Sequence, residues 1–214
     1  AVNTSWCRFG LDIVNDKLAW HCGNAGHVRV STDGGENWNA VASFGDMEPE
    51  QCRFISFADE KTGWIASPVR FAITADGAQT WKELDSPAGN KDTAALFLRT
   101  ANEGYLLDVN GVLYVTQDGC QTWRSHKLPI NGKLTNFNCP TAAIQFSDAD
   151  HGMVVLARKG GGIISYVTAD AGKTWTHAIV SEKLYGFLYL THDGKTLTVT
   201  NRATGLLTVL INNQ

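Results

Sequence analysis

The sequence predicts an all-β fold: a small β-propeller, a ring of radial sheets called blades, with five blades of four-stranded antiparallel sheet. A turn motif recurs four times, and its aspartates, Asp33, Asp76, Asp118 and Asp170, are 43, 42 and 52 residues apart. The copies lie between short apolar runs, and the 214-residue chain carries 21 glycines and 7 tryptophans, a composition that suits a turn-rich β protein. A nearly fixed period of this length is typical of a blade array.

The recurring motif reads Ser/Thr-x-Asp-x-x-x-Thr/Asn-Trp, with glycine one or two places after the aspartate. Its copies are Ser31–Trp38, Thr74–Trp81, Thr116–Trp123 and Thr168–Trp175. The aspartate side chain can accept backbone N–H groups a few residues on and so close a tight turn, while glycine supplies the positive φ that the turn needs. The Ser or Thr therefore ends one strand, and the Trp begins the next with a large apolar face to bury between blades.

A hairpin with a polar turn and a buried second strand precedes each motif, and a fifth hairpin has no motif after it. The large apolar residues of these second strands are Trp20, Trp64, Tyr105, Met153 and Leu197. They occupy one structural column. We expect them to pack between blades rather than to form a platform for a ligand.

The predicted strands group into five blades within a single domain, residues 1–214. The approximate blade bounds are 6–44, 51–84, 93–128, 141–180 and 184–211. The last blade stops after its third strand, and we expect residues 1–5 to add the missing outer strand and close the ring, which would remove exposed sheet edges. An open ring, or one completed by another chain, is the alternative.

The turn motif resembles the Asp-box, or BNR repeat, of the sialidase-like superfamily of propellers, and the resemblance implies a structural turn far from the ligand-binding face. The residues given this structural role are Asp33, Trp38, Asp76, Trp81, Asp118, Trp123, Asp170 and Trp175. Segment 57–64, Phe-Ala-Asp-Glu-Lys-Thr-Gly-Trp, with the motif copy that follows it, is similar to repeats of the photosystem II assembly and stability factor family. That similarity implies a binding or assembly role with a protein segment as partner.

The face opposite the turns is where propellers usually bind ligands, and five arginines are expected on or beside it. They are Arg8, Arg53, Arg70, Arg158 and Arg202. Arg8 and Arg53 occupy matching places in two Cys-Arg-Phe triplets, and guanidinium groups hold a carboxylate or phosphate in a bidentate fork. The sequence therefore predicts a face that binds a protein segment or an anionic ligand. The alternative is that these are ordinary surface arginines, paired with Asp46, Glu48 or Glu50.

Catalysis is not expected, because the residues that it would need are not arranged for it. A sialidase needs an Arg-Ile-Pro motif near its start, whereas Arg8 is followed by Phe-Gly. Glycosidase carboxylates face each other across a cleft, but three of the four acids expected on the binding face share one loop. These acids are Asp46, Glu48, Glu50 and Asp108. The alternatives to a non-catalytic module are a carbohydrate-binding, lectin-like propeller and a glycosidase- or sialidase-like enzyme.

Composition argues against other ligand classes. A net charge of −3 does not suit a nucleic-acid binder, and no apolar run approaches the roughly 20 residues that span a bilayer. The six histidines lack paired metal-ligand spacing, and no dinucleotide-binding or phosphate-loop motif is present. We therefore expect no metal, no cofactor, no nucleic acid and no membrane span, and leave the oligomeric state open.

The five cysteines bear on the compartment. Cys7 and Cys22 fall on adjacent strands of the first hairpin, and a disulfide between them is expected if the protein is exported. Cys52 repeats the Cys7 position and could compete for that bond, while Cys120, in a turn, is the expected free thiol. We expect a secreted or periplasmic protein, and the alternative is a cytoplasmic protein with five buried thiols.

Overall fold

The computed structural model describes residues 10–23, 27–41, 52–67, 70–89, 93–130, 134, 142–157, 162–182, 187–190, 196–201 and 205–210. These residues form β-strands and turns, and no helix occurs among them. The strands are β1 Gly10–Ile13, β2 Ala19–Cys22, β3 Val28–Ser31, β4 Asn39–Ala40, β5 Phe54–Phe57, β6 Gly63–Ala66, β7 Phe71–Thr74, β8 Lys82–Leu84, β9 Thr93–Leu98, β10 Gly104–Asp108, β11 Val112–Thr116, β12 Arg124–Lys127, β13 Ala142–Phe146, β14 Gly152–Ala157, β15 Ile163–Thr168, β16 Thr176–Ser181, β17 Phe187–Leu190, β18 Thr196–Asn201 and β19 Gly205–Leu210.

The strands form a β-propeller in which four sheets have four antiparallel strands each. Blade 1 is β1–β4, blade 2 is β5–β8, blade 3 is β9–β12 and blade 4 is β13–β16, and a last sheet of three strands is β17–β19. The prediction of five four-stranded blades is therefore wrong. Within the described residues, the outer strand of each four-stranded sheet follows an Asp turn, and strands β17 to β19 include no such turn, so this sheet has three strands. Residues 1–5, which were expected to supply this strand, lie outside the described residues.

Blades 2, 3 and 4 bury their inner strands and expose their outer one, whereas β1 of blade 1 is half exposed. All residues of β5, β6, β10 and β13 are buried, whereas β4, β12 and β16 have mostly exposed residues. The inner strands contact the inner strands of the neighbouring blades, as β5 contacts both β1 and β9. A strand covered on both faces is apolar along its whole length instead of alternating with polar residues.

The hydrophobic core lies between the blades, at seams that we name after the blades they join. At seam 1–2 the Trp20 ring stacks on Phe57, with ring centroids 3.8 Å apart and planes 6° from parallel. At seam 3–4 Tyr105 stacks on Phe146 in the same way, at 3.7 Å and 6°. The two residues of each pair come from adjacent blades, so the rings stabilise the association of the blades.

At seam 2–3 the ring of Trp64 lies 5.7 Å from that of Trp123 and 5.4 Å from that of Phe71. Gly104 leaves room for this ring, because a Cβ atom at that position would collide with its edge. The side chains of Trp20, Trp64, Tyr105 and Met153 are all buried. This confirms the expected packing of the column between blades for these four residues, and the side chain of Leu197 lies outside the described residues.

Each blade has two distinct ends. At the turn end, the loop between the first and second strands meets the repeated Asp turn between the third and fourth strands (residues 31–38, 74–81, 116–123 and 168–175). One backbone N–H of each Asp turn donates to a carbonyl of that loop at 2.9 or 3.0 Å. The donor and acceptor pairs are Gly34 and Lys17, Gly77 and Lys61, Gly119 and Asn102, and Ala171 and Asp150. At the loop end lie the loops between second and third strands and the connections between blades.

Candidate functional site

The loop end carries the arginines that the sequence singled out, and the structure describes two of them. Arg53 directly precedes β5, and Arg70 directly precedes β7, so both lie at the loop end of blade 2. Strand β6 lies between β5 and β7 in the sheet, which separates the two backbones by roughly 10 Å. Arg8, Arg158 and Arg202 lie outside the described residues.

Arg53 lies on the channel side of blade 2, where the inner strand begins. Its backbone N–H donates to the carbonyl of Ala66 at 3.1 Å, which continues the β5–β6 ladder by one residue. Its own carbonyl faces β1, and a Cβ atom at Gly10 would lie 3.1 Å from that oxygen. The backbone at Arg53 is thus held from two sides, while the side chain is only partly buried.

Arg70 closes the loop between β6 and β7 and reaches the outer strand. Its backbone N–H donates to Ser67 Oγ at 3.0 Å, and its carbonyl accepts the N–H of Ser67 at 2.9 Å. Its guanidinium forms an ion pair with Glu83 on β8, and the side chain of Arg70 is 28% exposed. An arginine with an internal carboxylate partner matches the alternative of an ordinary surface arginine, although the partner differs from the acids considered for it.

A disulfide joins blades 1 and 2 next to Arg53. Cys22, the last residue of β2, is bonded to Cys52, and the Cα atoms are 5.8 Å apart across a sequence separation of 30 residues. Both cysteines are fully buried. The expected Cys7–Cys22 pairing is therefore wrong, because Cys22 lies opposite Gly10 in the β1–β2 register and points across the seam to Cys52. Cys7 itself lies outside the described residues.

Cys120 is a free thiol, as expected, and it is less accessible than a turn position suggested. It is partly buried in the core of seam 2–3, and burial raises the pKa of its thiol to about 12. A thiol with so high a pKa carries almost no thiolate at neutral pH, and the thiolate is the reactive form.

Asp108 is the only loop-end acid of the sequence analysis that falls among the described residues. Asp108 is fully buried, and its carboxylate accepts hydrogen bonds from the backbone N–H groups of Asn110 at 2.8 Å and Val112 at 2.9 Å. These bonds close the β10–β11 loop, so the carboxylate has a structural role in that turn. Asp46, Glu48 and Glu50 lie outside the described residues.

At the turn end, the four aspartates make almost the same hydrogen bonds in every blade. In blade 3, Asp118 accepts the hydroxyl of Thr116 at 2.9 Å, the N–H of Thr122 at 2.9 Å and the hydroxyl of Thr122. Hydrogen bonds lower the pKa of each carboxyl to about 2, and in all four turns the largest contribution comes from the residue four positions after the aspartate. The aspartates are Asp33, Asp76, Asp118 and Asp170.

A cavity of about 380 Å³ opens between blades 3 and 4 at the turn end. It is lined mainly by exposed or partly buried polar and charged side chains, and Val115 is its buried residue. The lining residues are Val115, Gln117, Asp118, Thr122, Arg124, His126, Asp150, Ala171 and Lys173. We call this cavity the seam 3–4 groove.

Two other kinds of site are not found within the described ranges. That part of the chain holds no group of three or more His, Cys, Asp or Glu side chains placed to bind a metal ion. It also holds no helix with the length and hydropathy to cross a bilayer.

Comparison with protein families identifies the repeat. A family model described as Photosynthesis system II assembly factor YCF48 matches residues 73–203, which is more than half of the chain. The chain belongs to the YCF48 family. The similarity to assembly-factor repeats read from segment 57–64 and the motif after it is thereby confirmed. No curated protein sequence matches the chain.

Solved structures share the fold with this YCF48-family chain. YCF48 bound to D1 peptide aligns with 97% of the chain over 68% of its own length, at TM-score 0.59 and 16% identity. YCF48 from Cyanidioschyzon merolae aligns with 100% of the chain over 70% of its own length, at TM-score 0.62 and 21% identity. The GH74 xyloglucanase from Xanthomonas campestris aligns with 95% of the chain over 38% of its own length, at TM-score 0.60 and 13% identity. At these identities the likeness shows the fold alone.

Three features of the site were missed by reasoning from the sequence. The Cys22–Cys52 bond was considered only as a competitor, the Arg70–Glu83 pair was not considered, and the seam 3–4 groove was not anticipated. A signal for the groove does exist. His126 stands where Val41 and Leu84 stand in the first two copies, three residues after the motif tryptophan.

Proposed function

We propose that this protein is a non-catalytic assembly module that recognises a protein segment, or an anionic ligand, at its loop end. The observation that carries the proposal is its membership of the YCF48 family. One structure with the same fold is of YCF48 bound to D1 peptide. A family member that binds a peptide on this scaffold makes peptide binding the first function to test here.

The loop end of blade 2 suits this role because it combines a cation with a fixed backbone. Arg53 begins the inner strand, its backbone is bonded to Ala66, and its neighbour Cys52 is tied to blade 1. A side chain on a rigid element loses less conformational freedom on binding than one on a free loop. Arg8, Arg158 and Arg202 are proposed to extend the cationic face around the channel.

The disulfide supports a place outside the cytoplasm. Disulfides persist in oxidising compartments and are rare in reducing ones, and both Cys22 and Cys52 are fully buried in the bonded form. We infer a secreted or periplasmic protein that binds its partner there.

The test is a binding screen with short peptides of graded charge and, in parallel, a glycan array. Wild-type protein is expected to bind acidic peptides, and Arg53→Glu is expected to weaken that binding by about tenfold or more, since a charge-assisted contact becomes a repulsion. Arg124→Glu, at the turn end, is the matched control and should leave peptide binding unchanged. Thermal melts of all variants check that the fold is intact.

Three outcomes would count against the proposal. Unchanged peptide binding by Arg53→Glu would exclude the loop end of blade 2 as the peptide-binding site. Binding of one sugar class, with no peptide bound, would favour the lectin-like alternative. Release of reducing sugar from a bound glycan would favour a glycosidase.

A further inference from the structure

The seam 3–4 groove is a second concave surface, and it lies at the opposite end of the blades from the proposed peptide site. Its volume of about 380 Å³ falls within the range of small-molecule sites, roughly 300–1,000 Å³. Blade 3 contributes one wall through β11, its Asp turn and β12, and blade 4 contributes the other through its hairpin loop and its Asp turn.

The wall from blade 3 places two basic side chains on one side of the outer strand. Arg124 lies opposite Val115 and His126 lies opposite Leu113 in the β11–β12 register. Residues two apart in a strand project from the same face, so Arg124 and His126 point to the same side. Val115 is buried beneath them and forms part of the floor.

The wall from blade 4 is fixed by backbone contacts. The N–H of Ala171 donates to the carbonyl of Asp150 at 2.9 Å, which joins the Asp turn to its hairpin loop. Gly172 has a φ of +85°, and a Cβ atom there would lie 3.0 Å from Leu113 and 3.8 Å from the His126 ring. The turn therefore packs closely against blade 3 and carries Lys173 to the groove.

The same positions at the other described seams do not offer this chemistry. Val41 and Leu84 stand where His126 stands, and both pack into the cores of their seams. Gln79 and Gln121 occupy the position of Lys173. The side-chain amide of each donates to the backbone carbonyl of the aspartate in its own turn, at 2.9 and 3.0 Å. Lys173 therefore stands where the residues at these two seams close their own turns.

The groove offers more unpaired donors than acceptors. Within the described residues, Arg124, His126 and Lys173 make no ion pair. The Asp118 carboxylate is already occupied by Thr116 and Thr122. An anionic group can therefore bind to the basic side chains without displacing an internal partner.

We propose that the seam 3–4 groove binds an acidic sugar, a uronic acid unit whose carboxylate lies between Arg124 and Lys173. Guanidinium and ammonium groups bind carboxylates through charge-assisted hydrogen bonds. Asp150 and Gln117, also on the lining, accept hydrogen bonds from the ring hydroxyls. The mixture of cations, carboxylate and amide around a small cavity fits a polyhydroxylated carboxylate better than an extended peptide. The site is independent of the loop-end function proposed above.

The test is calorimetric titration of the protein with digalacturonic acid. The comparison probes are neutral digalactose and an acidic dipeptide of similar size. Saturable binding of digalacturonic acid, without binding of digalactose, is the expected result. Lys173→Gln introduces the residue found there at seams 1–2 and 2–3, and His126→Leu the residue found there at seam 2–3, so both variants should fold. Lys173→Gln is expected to weaken binding by about tenfold, since one charge-assisted contact is lost.

The matched control is Lys82→Gln, which changes the residue equivalent to Arg124 at seam 2–3 and should leave binding unchanged. Arg53→Glu should also leave the binding of digalacturonic acid unchanged, which separates this site from the proposed peptide site at the loop end. No saturable binding of digalacturonic acid would overturn the proposal, and so would equal binding by Lys173→Gln or stronger binding of the acidic dipeptide.

Discussion

The two ends of each blade are built by different kinds of contact. At the turn end, an aspartate, the hydroxyl two residues before it and the residue four positions after it close the turn within eight residues, and the same bonds recur in four blades. At the loop end, Ser67 and Asp108 also close loops within a few residues, but the contacts described there differ from blade to blade, and two of them join distant residues. The Cys22–Cys52 disulfide joins two blades, and the Arg70–Glu83 pair crosses a sheet.

This difference separates the residues that form the scaffold from those available for function. A turn that is closed by its own residues needs no contribution from the rest of the chain, so it can be repeated with little change. A loop held by contacts with distant residues can differ from blade to blade, and binding residues are found disproportionately on such loops. The following changes test how far this separation holds.

The largest effect is expected from removing the loop-end disulfide. Cys22→Ala/Cys52→Ala should lower the free energy of unfolding by about 3–4 kcal/mol, because the bond closes a loop of 30 residues in the unfolded chain. Urea unfolding of the oxidised protein and the variant measures it. Cys120→Ala, which removes a free thiol of the described residues, is the control. A difference below about 1 kcal/mol would mean that the bond does not constrain the unfolded chain in this way.

Gly104→Ala tests the core of seam 2–3, which lies between the turn end and the loop end. The new methyl group would collide with the Trp64 ring, and overpacking of this kind costs about 1–3 kcal/mol. Urea unfolding of Gly104→Ala/Trp64→Phe provides the control, since the smaller ring should recover part of the loss. If the single variant is as stable as wild type, the Trp64 ring is not held against β10 as described.

Acid titration tests the turn end. Because hydrogen bonds lower the pKa of the four turn aspartates to about 2, their contribution is fully present above about pH 4 and is lost as the pH falls towards 2. Asp118→Asn should lower the melting temperature by a few degrees at pH 7 and should make the fall between pH 4 and 2 less steep. Thermal melts across this range measure both effects. A variant whose pH profile runs parallel to that of wild type would contradict the prediction.

The smallest effect is expected to be a gain in stability at the turn of blade 4. Ala171 has a φ of 62°, whereas the equivalent positions in blades 1 to 3 are glycines. Ala171→Gly should stabilise the protein by up to about 1 kcal/mol, because glycine adopts positive φ without steric strain. Ala169→Gly, two residues earlier in the same turn and without positive φ, should instead be neutral or destabilising. Chemical denaturation of both variants decides the sign.

The turn end and the seam column could be predicted because their signals are local or periodic. The Asp turns repeat in the sequence, and Trp20, Trp64, Tyr105 and Met153 recur at one place in each hairpin. The number of four-stranded blades was wrong because the last sheet lacks the turn that would fold back a fourth strand.

The loop end could not be predicted to the same extent, because its contacts depend on how blades meet. Cys22 and Cys52 come together only when the second strand of blade 1 faces the inner strand of blade 2. The sequence favoured Cys7 as the partner of Cys22, with Cys52 as a competitor, and the packing of blade 1 on blade 2 brings Cys52 to it instead. The seam 3–4 groove likewise depends on the packing of two blades, although His126 marked it as a polar residue in an otherwise apolar position.

The closed Asp turn also has an evolutionary consequence. Each copy is specified by a Ser or Thr, an aspartate, a Thr or Asn four positions on and the tryptophan that follows, and these side chains satisfy one another without help from other blades. A duplicated copy therefore brings its folding instructions with it. The intervening positions are then released from that constraint, so one copy can carry Lys173 where the others carry Glu36, Gln79 and Gln121. Gene duplication can thus lengthen such a chain first and give the new blade a surface of its own later.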